Sequence, residues 1–130
     1  MIDTHIAIWM TTRTVFGKRS MAMIEKALAE DRLAISAISF WEIAMLIAKR
    51  RLRALKSAAQ QRTRILAAGV RELPISGEIC ILAGELESLH ADPADRLIAA
   101  SAITLEATLV TADEKLLRWR HALRRQNAEL

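Results

Sequence analysis

The chain reads as an α/β protein built on a mostly parallel sheet, and two observations point there. Short β-leaning apolar runs alternate with longer amphipathic stripes of helical period, the order that builds strand–helix–strand units. Only four Gly and two Pro punctuate 130 residues, so connections are short and helix is abundant. No linker, repeat or low-complexity stretch divides the sequence, which predicts a single domain over 1–130.

Taken in order, the first β-leaning run is Ile2, and Thr4 to Trp9 after it is open to a helical reading. Met21, Ile24 and Leu28 line one helical face, with Glu25, Lys26 and Glu30 opposite. Leu33 to Ala37 is the second run. The helix behind it carries Phe40, Trp41 and Glu42 and runs into the basic cluster Lys49, Arg50, Arg51, Arg53 and Lys56. Val70 to Leu73 is the third run. Ile79, Leu82, Ala83, Leu86 and Leu89 then form a stripe, with Cys80 expected inside the core beside Ile79. Leu97, Ile98, Ser101, Ala102 and Leu105 make another stripe ahead of the fourth run, Thr108 to Thr111. A short helix follows over Glu114 to Trp119. The basic, polar end from His121 to Leu130 suggests no element.

The 52% apolar share supports a core, and the 26% charged share argues against disorder. A net charge of +4 permits a polyanionic partner without requiring one. One cysteine forms no internal disulfide, which suits a reducing cytoplasm. Without a Cys/His cluster a zinc site is not expected. Asp3 stands where a signal peptide carries positive charge. The longest apolar run, Ile35 to Ala48, is interrupted by Glu42 and too short to span a bilayer. The expectation is a soluble, cytoplasmic protein with no membrane partner.

Four acids, Asp3, Glu42, Asp95 and Asp113, stand at the start of apolar segments or just past them. Asp3 and Asp113 both fall just after a strand run, where open parallel sheets place their ligand sites. Carboxylates are costly to gather, because like charges raise one another's pKa unless a cation neutralises them. Four together are most simply read as holding a hard cation such as Mg²⁺. Three of the acids also have a capping explanation. Ser39 to Glu42 is the pattern S-x-x-E of a capping box. Asp92-Pro93-Ala94-Asp95 opens a helix, with Asp92 as N-cap and Pro93 in its first turn. Asp113 can cap the helix after it. Asp3 has no such need strong enough to offset its desolvation, unless Thr4 to Trp9 is helical.

The segments M-I-D-T-H, SAISFWEIAMLIAKRRL and DPADRLIAASAITLEATLVTADEKLL resemble the PIN-domain ribonucleases, specifically the VapC-type toxins of type II toxin–antitoxin pairs. The third block carries most of the resemblance: Asp-Arg at a helix start, then Thr-x-Asp after a strand, 18 positions from Asp95 to Asp113. The resemblance spans about Ile2 to Trp119. It implies a doubly wound fold, a four-carboxylate Mg²⁺ or Mn²⁺ site, endonucleolytic cleavage of RNA, inhibition by a cognate antitoxin and a homodimer. The family's acids fall on Asp3, Glu42, Asp95 and Asp113. Asp92 is a further candidate acid, and Thr111 a helper beside the metal. Asp3, Asp95 and Asp113 are expected as ligands, with Glu42 completing the site or placing the water.

Two departures stand out. Family members carry several apolar residues before the first Asp, and here only Met1 and Ile2 precede it, so a late or truncated start with a stunted central strand is expected. The family also tends to finish with a strand, which residues 121–130 do not suggest.

Other residues have more than one reading. Lys49, Arg50, Arg51 and Arg53 are candidates for gripping RNA phosphates, or simply a solvated helix end favoured by the macrodipole. Arg96 is a candidate to orient a carboxylate, touch phosphate or form a plain salt bridge. His5 either lines the site or is structural, and His90 and His121 suggest no role. Three scattered Trp and no Tyr make no base-stacking platform. The faces Met21 to Leu28 and Phe40 to Ile47 are candidates for the antitoxin groove or the dimer contact.

Rival classes are a non-catalytic PIN-like module that holds RNA or an antitoxin, and an aspartyl phosphotransferase. The four acids weigh against the first. Asp3-Thr4-His5 lacks the Asp-x-Asp of dehalogenase-type phosphotransfer, which weighs against the second.

Overall fold

A computed structural model describes residues 1–12, 14–52 and 57–130. Its strands are β1 (Ala34–Ser36), β2 (Arg71–Leu73), β3 (Leu109–Thr111) and β4 (Arg125–Asn127). β1 pairs with β2 and β3 with β4, both in parallel. Ile2 joins the two pairs, bridging Ile35 on one side and Val110 on the other, again in parallel. The order across the sheet is therefore β2, β1, Ile2, β3, β4. The central position is one residue long. The backbone there is nonetheless bonded to both neighbours: the Ile2 amide donates to the Ala34 carbonyl at 2.9 Å and the Asp3 amide to the Val110 carbonyl at 3.0 Å.

The helices are α1 (Thr4–Thr12), α2 (Lys18–Ala29), α3 (Ile38–Ala48), α4 (Ala58–Ala67), α5 (Gly77–Glu85), α6 (Pro93–Thr104) and α7 (Glu114–Arg118). Side chains alternate across a strand, so the sheet carries two cores. Ile2, Ile35 and Val110 point one way, into a cluster with Ile6 and Ile8 of α1, Ile24 of α2 and Ile65 of α4. Met1 and Leu109 point the other way, into a cluster with Ile79 and Ala83 of α5, Ile98 and Ala102 of α6 and Leu116 of α7. Helices thus cover both faces, the doubly wound α/β arrangement. α3 touches α1, α4 and α6, which sets it across the junction between the two layers.

Each β-leaning run after Ile2 became a strand within one or two residues of its expected ends. Three expectations need correction, and one helix, α4, was not foreseen. The C-terminal stretch does form an element: β4 extends the sheet, with Leu123 and Ala128 buried around it. Its polar centre, Gln126, is buried because its amide finds Ser20 Oγ and the Asn127 carbonyl. α4 had no evident stripe, since only Gln61 and Ile65 of its ten residues are buried; its start is fixed by Ser57, whose hydroxyl accepts from the Gln60 amide. Cys80 is exposed, because the inward face of α5 is taken by Ile79 and Ala83. Leu105 falls at the C-cap of α6 and is half exposed. Near the end of the chain, Gly17 lies against the Leu130 backbone so closely that any side chain there would collide.

Among the described residues, no helix is long and apolar enough to cross a membrane.

Candidate metal centre

The carboxyl ends of the central strands lead directly into the acids. Asp3 follows Ile2 and is 4% exposed. Its carbonyl accepts from the Ala7 amide and its Oδ1 from the Thr4 amide, so α1 starts on this residue. The helical reading of Thr4 to Trp9 therefore holds. Asp3 Oδ2 accepts from the Thr111 hydroxyl at 2.6 Å. Thr111 Oγ1 also accepts from the Asp113 amide at 3.0 Å, tying the turn after β3 to the same point.

Glu42 does not cap α3. That helix begins at Ile38 with Ala37 before it, so the S-x-x-E pattern is out of register with the true start. The Glu42 carboxylate instead accepts from Thr4 Oγ1 at 2.5 Å, and the Ser39 hydroxyl lies 2.9 Å from the same oxygen. Asp92 is the N-cap of α6, as its position suggests, accepting from the amides of Ala94 and Asp95. Asp95 is thereby set in the first turn with its side chain free to leave the helix. Its Oδ2 lies 2.6 Å from His90 Nε2. Asp113 caps α7 through the Lys115 amide at 2.7 Å.

Donor atoms of Asp3, Glu42 and Asp95 lie within 4.8 Å of one another, and so do those of His90, Asp95 and Asp113. Asp95 belongs to both groups. All four expected acids are thus brought together around it, while Asp92 stays exposed with one oxygen occupied by capping. The electrostatics show the cost. Burial raises the Asp3 carboxyl, against the Thr111 and Thr4 bonds, and Asp113 adds to the rise. Burial pushes Glu42 up to about 7, with Asp95, Asp3 and Asp92 contributing as like charges. Burial likewise takes Asp95 to about 6, opposed by the His90 bond and assisted by Asp92, Asp3 and Asp113. Acids that resist ionising together are stabilised by a cation, and an oxygen-rich donor set suits a hard one.

Arg96 forms no salt bridge among the described residues. Its guanidinium donates to the carbonyls of Ala83, Gly84, Leu86, Leu89 and His90, clamping the connection between α5 and α6. Successive helical residues point about 100° apart, so Asp95 and Arg96 face different surroundings. Lys49, Arg50 and Arg51 are exposed at the far end of α3 from Glu42, roughly 10 Å along the axis at 1.5 Å per residue; Arg53 and Lys56 lie outside the described residues. His5 is exposed and lines a cleft of about 380 Å³ with Asp3, Trp9, Ala112, Asp113 and Glu129. A larger cleft of about 520 Å³ lies at the opposite strand ends, beside Met1, Leu33 and Thr108, and touches none of these acids. Sequence reasoning missed Thr4 and His90. For Thr4 the adjacency to Asp3 was a usable signal; for His90 the only one was its place five residues before Asp95.

The model of the PIN domain family matches residues 1–121. Ribonuclease VapC22 of Mycobacterium tuberculosis is 36% identical over 125 residues, covering 93% of this chain and 92% of the relative. The solved structure of VapBC2 from Rickettsia felis bound to a DNA fragment from their promoter aligns at TM-score 0.69 and 26% identity, over 98% of this chain and 96% of that one. VapBC-1 from nontypeable Haemophilus influenzae aligns at 0.67 and 26%, with the same coverage. The acids gathered at the strand ends and these likenesses agree: the chain belongs to the PIN domain family, as a VapC-type member.

Proposed function

We propose that this chain is a Mg²⁺- or Mn²⁺-dependent endoribonuclease, the toxin of a type II toxin–antitoxin pair, acting as one domain over residues 1–130. The observation that carries the reading is the grouping of Asp3, Glu42 and Asp95 within 4.8 Å, with carboxyls raised by burial. The name of the Mycobacterium relative, a ribonuclease, supports the same chemistry.

Asp3, Asp95 and Asp113 would hold the cation, with Glu42 beside them. A bound divalent cation would lower the pKa of a water and balance charge on the phosphodiester oxygens. The protein's own part is positional. Thr111 and the Thr4 amide fix the Asp3 rotamer, and Thr4 aims Glu42 at the cluster. Glu42, raised to about 7, is suited to accept a proton from the attacking water near neutral pH. RNA enters along the cleft beside His5 and Trp9, and the net charge of +4 favours a polyanion. Lys49, Arg50 and Arg51 contribute a more distant attraction to phosphates, and Arg53 is carried with them as a candidate from its sequence alone.

The structural neighbours named as VapBC assemblies support a cognate antitoxin as partner. Trp41, 52% exposed, and Met21, 37% exposed, provide apolar surface for it or for a homodimer. The reducing cytoplasm is the compartment that suits such a pair.

Cleavage of an RNA panel by purified, antitoxin-free protein tests the reading, with Mg²⁺, Mn²⁺ or chelator and with Asp95→Asn alongside. Cutting that needs the metal and is lost in the variant is the expected result. A folded, metal-replete protein that cuts nothing, or a variant that cuts as well as the parent, overturns it.

A further inference from the structure

Among the described residues, His90 is the one candidate ligand of the cluster that is not an acid, and its place is built rather than incidental. Its Nε2 lies 2.6 Å from Asp95 Oδ2, with side-chain exposures of 19% and 15% for the two residues. The carbonyls of Leu89 and His90 accept from Arg96 Nη1 at 2.9 and 3.4 Å. The same guanidinium holds Ala83, Gly84 and Leu86, which end α5 and begin the loop. Arg96 is the next residue after Asp95 on α6. The loop that carries His90 is therefore fastened to the helix turn that carries Asp95.

We propose that His90 is a positioning residue for Asp95, with Arg96 as its anchor, and the proposal rests on reading the acids as a cation site. A carboxylate in the first turn of a helix has rotamer freedom, and ordering it on cation binding costs entropy. The imidazole donates to Oδ2, holds the carboxylate in one rotamer, and leaves its remaining lone pairs for the cation that Asp3 and Asp113 would share. Partners of this outer kind orient a metal's ligands, and their loss typically weakens metal affinity ~10–100-fold.

The test compares the purified full chain with His90→Phe, which fills the space without a donor, and His90→Gln, which keeps one. Mn²⁺ affinity is read from the electron paramagnetic resonance signal of free ion, and pulsed spectra of bound Mn²⁺ report any coordinated nitrogen. Expected is a loss of ~10–100-fold in affinity for the Phe variant, recovery in the Gln variant, cooperative thermal unfolding of both variants without metal, and no coordinated nitrogen in the parent. Equal affinity in parent and Phe variant overturns the proposal, as does a Gln variant no better than Phe. A nitrogen signal present in the parent and absent from the variants also overturns it, making His90 a ligand instead. A parent that binds no Mn²⁺ fails the cation-site reading itself, and this proposal with it.

Discussion

Thr111 and Asp3, 108 positions apart, meet at 2.6 Å across the sheet, the hydroxyl donating to the carboxylate. The contact couples the last residue of β3 to the acid at the central seam, both buried. A hydroxyl donated to a carboxylate favours its charged form, and here it opposes the rise that burial imposes on Asp3.

Thr111→Val should therefore raise the Asp3 pKa further and destabilise the metal-free fold by about 1–3 kcal/mol. The sign sets where. A carboxyl raised on folding contributes stability that is present below its ordinary value of about 4 and lost as pH rises through the folded value. The deficit of the variant should thus be larger at pH 8 than at pH 5, by urea unfolding. A deficit that shrinks with rising pH contradicts the role given to the hydroxyl, and Thr111→Ser should keep most of the stability.

Asp95, pushed to about 6, and Glu42, to about 7, follow the same rule. Their contribution is intact near pH 4, and falls away as pH climbs through 6 and 7. Chelated protein should melt at progressively lower temperature across that window. Protons and cations compete for these oxygens, so the thermal shift given by Mn²⁺ should grow over the same range. Asp95→Asn should flatten part of both trends. Melting that is independent of pH between 5 and 8 in chelator would refute the coupling.

Ile2 fills the central position of the sheet and is completely buried. Ile2→Ala should cost about 2–5 kcal/mol, read from denaturant unfolding. A loss under about 1 kcal/mol would mean that the two halves of the sheet hold together without this side chain.

Arg96→Lys keeps the charge and loses the fork that reaches several carbonyls at once. Orphaned carbonyls and a loosened loop should cost about 2–4 kcal/mol, and hydrogen exchange should quicken at residues 86–90. A variant as stable as the parent would show the clamp to be dispensable.

Much of this was legible because it follows from short-range pattern. The β-leaning runs gave the later strands, and residues at strand ends or helix starts gave Asp3, Asp95 and Asp113. What sequence hid was hidden for definite reasons. Glu42 was legible as one of the four acids, but its good capping pattern concealed its local partner, and only the true start of α3 at Ile38 shows that Ser39 and Glu42 face Thr4. Arg96 invites an ion pair through its neighbour Asp95, but helical geometry sends the two side chains to different places. β4 offers no apolar alternation because Arg125-Gln126-Asn127 satisfies its buried centre with an amide network. His90 lies in a loop without periodicity, and its partner is found only in three dimensions.

The single-residue seam at Ile2 also decides when the acids exist as a group. Glu42 hangs from the half of the sheet made by β1 and β2, Asp95 and Asp113 from elements around β3, and Asp3 from the junction itself. No continuous fragment short of nearly the whole chain contains them all. A nascent polypeptide therefore lacks the complete group until nearly all of it has been made, and closing the two halves does work against the acids' own repulsion.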